Sequence, residues 1–243
     1  MSNLTVTYQP VLVLLSIGVA ILGSLTALAL TSLSDAEDAA DGQRSFALVS
    51  GGLIMGATIW SMHFVAMMAV NFPVVVNYNL LETVASIGIA IVATGFGLYL
   101  ASTRRAGWLS IPLGGVLMGL GIAGMHDLGM SALRGCGLGY ELPLVGASFA
   151  IAIVASMAAL WFAFYKRTVI MTVAGGVVQG LAIASMHYTG MAATYFAPLG
   201  ADVQVAAPLF SQSRMAYMIA AGIVIISAVN LTMVALMARE EAT

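Results

Sequence analysis

The chain has 243 residues, of which 61% are hydrophobic and 7% charged, with a formal net charge of −2. A soluble domain of this size carries roughly a quarter charged residues, so the composition excludes a water-solvated globule and gives no basic surface for nucleic acid. Its one cysteine, Cys136, excludes an intrachain disulfide, a cysteine-based zinc site and a c-type haem attachment.

A helix needs about 20 apolar residues, at 1.5 Å each, to cross roughly 30 Å of hydrocarbon. Seven such runs follow one another, predicted at 11–31, 46–70, 81–101, 109–133, 142–165, 169–193 and 215–238. The first lacks a basic leader and a small-residue cleavage site, and so reads as a retained span. The breaks collect turn-forming and charged residues: 34–44 is acidic, 71–79 is short, Arg104 and Arg105 adjoin, 134–141 is glycine-rich, and Lys166 and Arg167 adjoin. The segment 194–214, with Pro198 and Pro208, is the one sizeable loop predicted. The expected fold is an all-α membrane protein of seven transmembrane helices, one domain over 1–243.

Loops retained in the cytoplasm are enriched in Lys and Arg. One side of the predicted topology holds Arg44, Arg104, Arg105, Lys166, Arg167 and Arg239, and the other Arg134 and Arg214. This places the N-terminus outside and the C-terminus inside, with room for a fused output domain or a cytoplasmic partner after the last helix.

The chain also repeats itself. Gly51-Gly52-Leu53-Ile54-Met55-Gly56 leads to Ser61-Met62-His63-Phe64-Val65-Ala66-Met67, and Gly114-Gly115-Val116-Leu117-Met118-Gly119 leads to Gly124-Met125-His126-Asp127-Leu128-Gly129-Met130. A third copy runs from Gly175-Gly176-Val177-Val178-Gln179-Gly180 to Ser185-Met186-His187-Tyr188-Thr189-Gly190-Met191, and the copies hold all three histidines of the chain. Each repeat is a motif helix and a spacer helix, so the layout reads as one leading helix and three helix pairs, with motif helices near 46–70, 109–133 and 169–193.

Residues four apart share a helix face. His63 therefore stacks with Met67, His126 with Met130 and His187 with Met191; the same stripe carries Ile59, Ile122 and Ile183, then Met55, Met118 and Gln179. Met62, Met125 and Met186 lie about 100° around the helix. The paired glycines let helices approach closely. All three histidines fall at one depth, within roughly 10 Å of the outer surface.

Imidazole binds copper, zinc, iron and nickel, and thioether sulfur shifts the preference towards Cu(I). Copper is the expected cofactor, ahead of zinc, and a histidine-methionine site leaves a position for a small diatomic gas. Methionine stripes in membrane helices commonly serve packing, and a buried histidine can serve as an interhelical hydrogen-bonding group. Three histidines at one depth, each with methionine at i−1 and i+4, point beyond packing, because buried polar groups in a membrane are costly. Asp127 and Tyr188 are candidates for orienting the ligands from outside them. Glu82 is expected to serve a helix N-terminus, and Cys136 lies in the glycine-rich outer loop.

The tetrapeptide Met186-His187-Tyr188-Thr189, followed by Gly190-Met191 and preceded by two looser copies, resembles the MHYT family of bacterial membrane sensor domains. The resemblance covers essentially the whole chain. It implies seven helices in the bacterial inner membrane, copper held near the outer face, detection of oxygen, carbon monoxide, nitric oxide or redox state, and a cytoplasmic output such as cyclic di-GMP turnover. Phe64-Val65 and Asp127-Leu128 replace Tyr-Thr in the first two copies. Residue by residue, the resemblance carries the metal-ligand role to Met62, His63, Met67, Met125, His126, Met130, Met186, His187 and Met191.

The expected partners are the bilayer, a diatomic gas and a cytoplasmic output, with a homo-oligomer allowed and nucleic acid excluded. No catalytic residue is assigned. The alternatives are an intramembrane zinc hydrolase using the three histidines and Asp127, a copper transporter or chaperone, and a b-type haem protein, which leaves one histidine unexplained.

Overall fold

The computed structural model describes residues 3–35, 41–103, 109–164, 168–199 and 211–240. Its helices are α1 (Pro10–Ser32), α2 (Asp41–Met68), α3 (Leu80–Ser102), α4 (Ser110–Ser131), α5 (Leu142–Phe164), α6 (Val169–Ala192) and α7 (Gln212–Glu240). All seven are long and apolar enough to cross a membrane. Helices answer that solvent because hydrocarbon offers no partner for backbone N–H and C=O groups, which must pair within the segment. The chain is a multi-pass membrane protein.

Local sequence sets several helix starts. Pro10 opens α1, where a missing N–H costs nothing. The Asn79 side chain accepts from the Glu82 amide to start α3, and that of Thr168 accepts from Met171 to start α6. Most boundaries lie within two residues of the prediction. The main exception is α2, which begins at Asp41 rather than 46, so the polar residues up to Arg44 belong to the helix and not to the preceding break. Hydropathy detects the part of a helix in hydrocarbon, whereas a polar first turn can project beyond it. Arg104, Arg105, Lys166 and Arg167, which carried much of the orientation argument, lie outside the described residues.

Helix α1 packs on α2 and α6, α3 on α2 and α4, and α5 on α4 and α6, while α7 packs on α1 and α2. The motif helices α2, α4 and α6 thus form an inner set, wrapped by α1, α3 and α5. Glycines make the seams. A Cβ on Gly52 would meet Gly95 Cα at 2.7 Å and one on Gly56 would meet Ile91 Cα at 2.6 Å, so α2 lies directly against α3. Equivalent approaches join Gly119 to Ile153 on α5 (2.5 Å) and Gly180 to Ile21 on α1 (2.6 Å).

The last of these changes the expected pairing. Chain order makes α7 the spacer of α6, but α1 takes that position and closes the ring, leaving α7 outside it.

Among the described residues, six short strands, read as loop from sequence, close the histidine end of the bundle. They pair antiparallel as β1 (Thr7–Tyr8) with β2 (Val70–Asn71), β3 (Asn77–Tyr78) with β4 (Leu133–Arg134), and β5 (Cys136–Tyr140) with β6 (Thr194–Pro198). Each ladder joins the segment before an outer helix to the segment after an inner one. The threefold repeat reaches single bonds: Gln9 N–H donates to Ala69 C=O, Asn79 to Ala132 and Glu141 to Ala193, each at 2.8 Å. The predicted 194–214 loop therefore starts as a strand, and its positions 200–210 lie outside the described residues. Arg134 and Glu82 form an ion pair at 2.8 Å across this end.

Candidate metal centre

His63, His126 and His187 each lie five residues before the last residue of their helices, α2, α4 and α6, about 7.5 Å along the axis from the capped end. The common depth read from the repeats is thus present in the fold. The three rings meet on the bundle axis with exposures of 1%, 4% and 0%. Their centroids are 5.0, 5.0 and 5.2 Å apart, and each pair is nearly perpendicular.

The Nδ1 atoms face one another. His63 Nδ1 is 3.1 Å from His187 Nδ1 and 3.2 Å from His126 Nδ1. One ligand nitrogen from each ring lies within 4.8 Å of the other two. Three imidazole nitrogens bound about 2.0 Å from one tetrahedral ion would stand about 3.3 Å apart, so the cluster has the dimensions of a three-histidine site.

Protons alone pair these atoms poorly. His63 Nδ1 carries either a proton, which reaches one neighbour, or one lone pair, which two donors must share. A cation engages three lone pairs at once. That arrangement puts the ring protons on Nε2, and for His63 and His187 this atom is buried without a partner among the described residues. Two unmet donors cost about 1–3 kcal/mol each, against apparent binding energies of roughly 10–16 kcal/mol for structural zinc in peptides. The donor set therefore fits a transition metal that takes imidazole.

Two glycines make the cluster sterically accessible. A Cβ on Gly190 would stand 2.5 Å from His126 Nε2, and one on Gly129 would collide with His63 Nε2. Each glycine lies three residues after the histidine of its own copy, so one repeat's motif holds the imidazole of the repeat before it. Both letters are visible in the repeat, but their partners are set only by helix packing. The first copy has Ala66 at this position.

The methionines divide into two groups. Met67, Met130 and Met191, one turn beyond the histidines towards the cap, are buried together with Cys136, Leu133 and Phe196. Met62, Met125 and Met186 belong to the larger core, as do Ile59, Ile122 and Ile183 on the turn below. Burial pushes the Cys136 thiol up to about 11.

The two residues expected behind the ligands engage elsewhere. Asp127 is exposed on the outer flank of α4. Its charge is felt by Tyr140, whose hydroxyl pKa is raised first by burial and then by that carboxyl. The Tyr188 hydroxyl is 2.9 Å from Ser16 Oγ on α1, and its ring packs edge-on against Tyr8. Neither is directed at the imidazole nitrogens: one position after the histidine, a side chain points about 100° away from the bundle axis. Glu82 lies in the first turn of α3 as expected, with Arg134 as its partner.

The repeat decides the family. The profile of the MHYT family, described as "Bacterial signalling protein N terminal repeat", matches three times, at residues 56–114, 119–176 and 180–241. This chain belongs to the MHYT family. Among its relatives, the bifunctional diguanylate cyclase/cyclic di-GMP phosphodiesterase MucR of Pseudomonas aeruginosa is 42% identical over 201 residues, covering 80% of this chain and 29% of that protein. The signaling protein YkoW of Bacillus subtilis is 35% identical over 212 residues, covering 82% of this chain and 26% of the relative. The cyclic di-GMP phosphodiesterase NbdA of P. aeruginosa is 35% identical over 209 residues, with 83% and 26% covered. The chain thus spans less than a third of the length of these relatives. No solved structure matches it.

Proposed function

We propose that the whole chain is one sensor domain of a bacterial inner membrane, binding copper near the outer face and reporting a diatomic gas (oxygen, carbon monoxide or nitric oxide) or redox state to a cytoplasmic output. The observation that carries this reading is the convergence of three buried imidazoles, one from each repeat, with His63 Nδ1 at 3.1 and 3.2 Å from the Nδ1 atoms of His187 and His126 and one nitrogen of each ring within 4.8 Å of the others. His63, His126 and His187 would hold the metal through Nδ1. Copper held there supplies a Cu(II)/Cu(I) couple and a coordination position for a small ligand. The layer of Met67, Met130 and Met191 borders the cluster on the cap side and favours the softer Cu(I) state, whereas Met62, Met125 and Met186 pack the core.

The proposed orientation is N-terminus outside and C-terminus inside, following the basic residues. The output is cyclic di-GMP turnover, a chemistry named in MucR and NbdA. Helix α7 packs on α1 and on α2, the helix that carries His63. A change in how His63 sits would therefore shift the helix against which α7 rests.

The zinc hydrolase reading requires a base beside the cluster, and the exposed position of Asp127 does not supply one. Copper transport calls for liganding groups along a path through the bilayer, whereas Ile59, Ile122 and Ile183 bury an apolar layer below the histidines.

The test is the metal content of protein purified without a polyhistidine tag, compared with the His63→Ala/His126→Ala/His187→Ala variant. Copper in the first and none in the folded second is the expected result. Zinc in its place would restore the hydrolase reading, and no metal from copper-supplied cells would end the metal reading.

A further inference from the structure

At the end of the bundle opposite the histidines, α2 and α3 diverge and leave a groove of about 730 Å³. Arg44, Leu48, Val49 and Leu53 on α2 and Gly95 and Tyr99 on α3 line it. Gly52 draws the two helices together at Gly95, whose own missing side chain would project into open space. The groove is thus an apolar furrow in a membrane-spanning face, with a guanidinium at its outer limit.

Arg44 donates to the Ser102 carbonyl at the C-terminal end of α3, at 2.9 Å. A guanidinium has five N–H donors, and this bond to a neutral carbonyl engages only one of its nitrogens. Exposed Val49 and Leu53 continue the furrow from Arg44 towards the bilayer centre for about two and a half turns, and exposed Tyr99 flanks it on α3 near the level of Arg44. A positive group at head-group depth above an apolar furrow matches one molecule abundant in its surroundings, a phospholipid with an anionic head group.

We propose that this groove is a binding site for an anionic phospholipid of the leaflet opposite the metal centre, the inner leaflet in the proposed orientation. The phosphate end meets Arg44, and an acyl chain lies along Leu48, Leu53 and Gly95. The site does not depend on the metal reading. It does bear on it, because Arg44 and His63 stand on one continuous helix, 19 residues or about 28 Å apart. Head-group charge is the variable to isolate, since Asp35, Glu37, Asp38 and Asp41 precede Arg44 in the sequence.

The experiment is native mass spectrometry of delipidated protein in detergent, titrated with phosphatidylglycerol or phosphatidylcholine of identical acyl chains. The unmodified chain is expected to prefer phosphatidylglycerol about fivefold, the gain expected from one basic side chain near a lipid surface. Arg44→Gln should reduce the preference to parity, and Arg44→Lys should keep most of it. Gly95→Leu fills the furrow and should weaken both lipids, while Arg134→Gln at the other end should change neither. Circular dichroism and thermal unfolding report folding separately. No preference in the unmodified chain, an undiminished preference in folded Arg44→Gln, or unchanged retention of both lipids by Gly95→Leu would overturn the proposal.

Discussion

Replacing Gly190 by alanine adds one methyl group where the fold has no room for it. That carbon would stand 2.5 Å from His126 Nε2, whereas non-bonded heavy atoms rest at roughly 3.5 Å or more. The imidazole or α6 must therefore move by about 1 Å. Functional sites tolerate displacements of about 0.5 Å, and a metal–nitrogen bond is only about 2.0 Å long. The move is thus large on the scale of the site. Copper affinity is expected to fall by on the order of 10- to 100-fold, as when groups supporting a metal ligand are lost, and stability by about 1–3 kcal/mol for an overpacked core. The assay is competitive Cu(I) titration of protein in detergent, with thermal unfolding in parallel. Gly124→Ala is the control, because a Cβ there meets nothing within 4 Å on the same helix as His126, and it should change neither quantity. Unaltered copper affinity and stoichiometry in folded Gly190→Ala would refute the argument that this glycine holds the imidazole.

Met→Leu at Met67, Met130 and Met191 keeps core volume and removes thioether sulfur, so Cu(I) affinity should fall more than Cu(II) affinity in a redox-controlled titration; equal losses would count against a role for these sulfurs. Tyr188→Phe removes the hydroxyl that meets Ser16, while Ser16 keeps its bond to the Val13 carbonyl. It should lower stability in detergent by about 1 kcal/mol and leave copper content unchanged, and loss of copper would place Tyr188 in the site after all. Because burial raises the Cys136 thiol to about 11, maleimide should label it at neutral pH on the order of a hundredfold more slowly than in the denatured chain. The thiolate fraction of such a group grows about tenfold per pH unit below its pKa, so the folded-state rate should still be rising at pH 10; a plateau by pH 9 would contradict the shift.

Much of the architecture was legible because its causes act along the chain. A span needs about 20 consecutive apolar residues whatever its neighbours, so seven helices could be counted and most of their ends placed from hydropathy and capping. Repetition is equally local: His63, His126 and His187 recur at one position in three copies, and equal positions in helices of equal direction mean equal depth. The extra turn at the start of α2 escaped because Asp41, Gly42 and Gln43 carry no apolar signal. The strands escaped because each is two to five residues long and forms only against a partner far along the chain.

The sequence by itself therefore determined the solvent, the number of spans and the three histidines that could meet. Packing alone decided that they meet through Nδ1, that Gly129 and Gly190 lie against the imidazoles of the preceding repeats while the Tyr188 hydroxyl turns to Ser16, and that α1 instead of α7 closes the ring against α6. In a bilayer every outward face is apolar, so hydropathy cannot say which helix lies beside which. That choice falls to the fit of small residues against particular backbones, such as Gly180 on Ile21, and exists only once the helices are assembled.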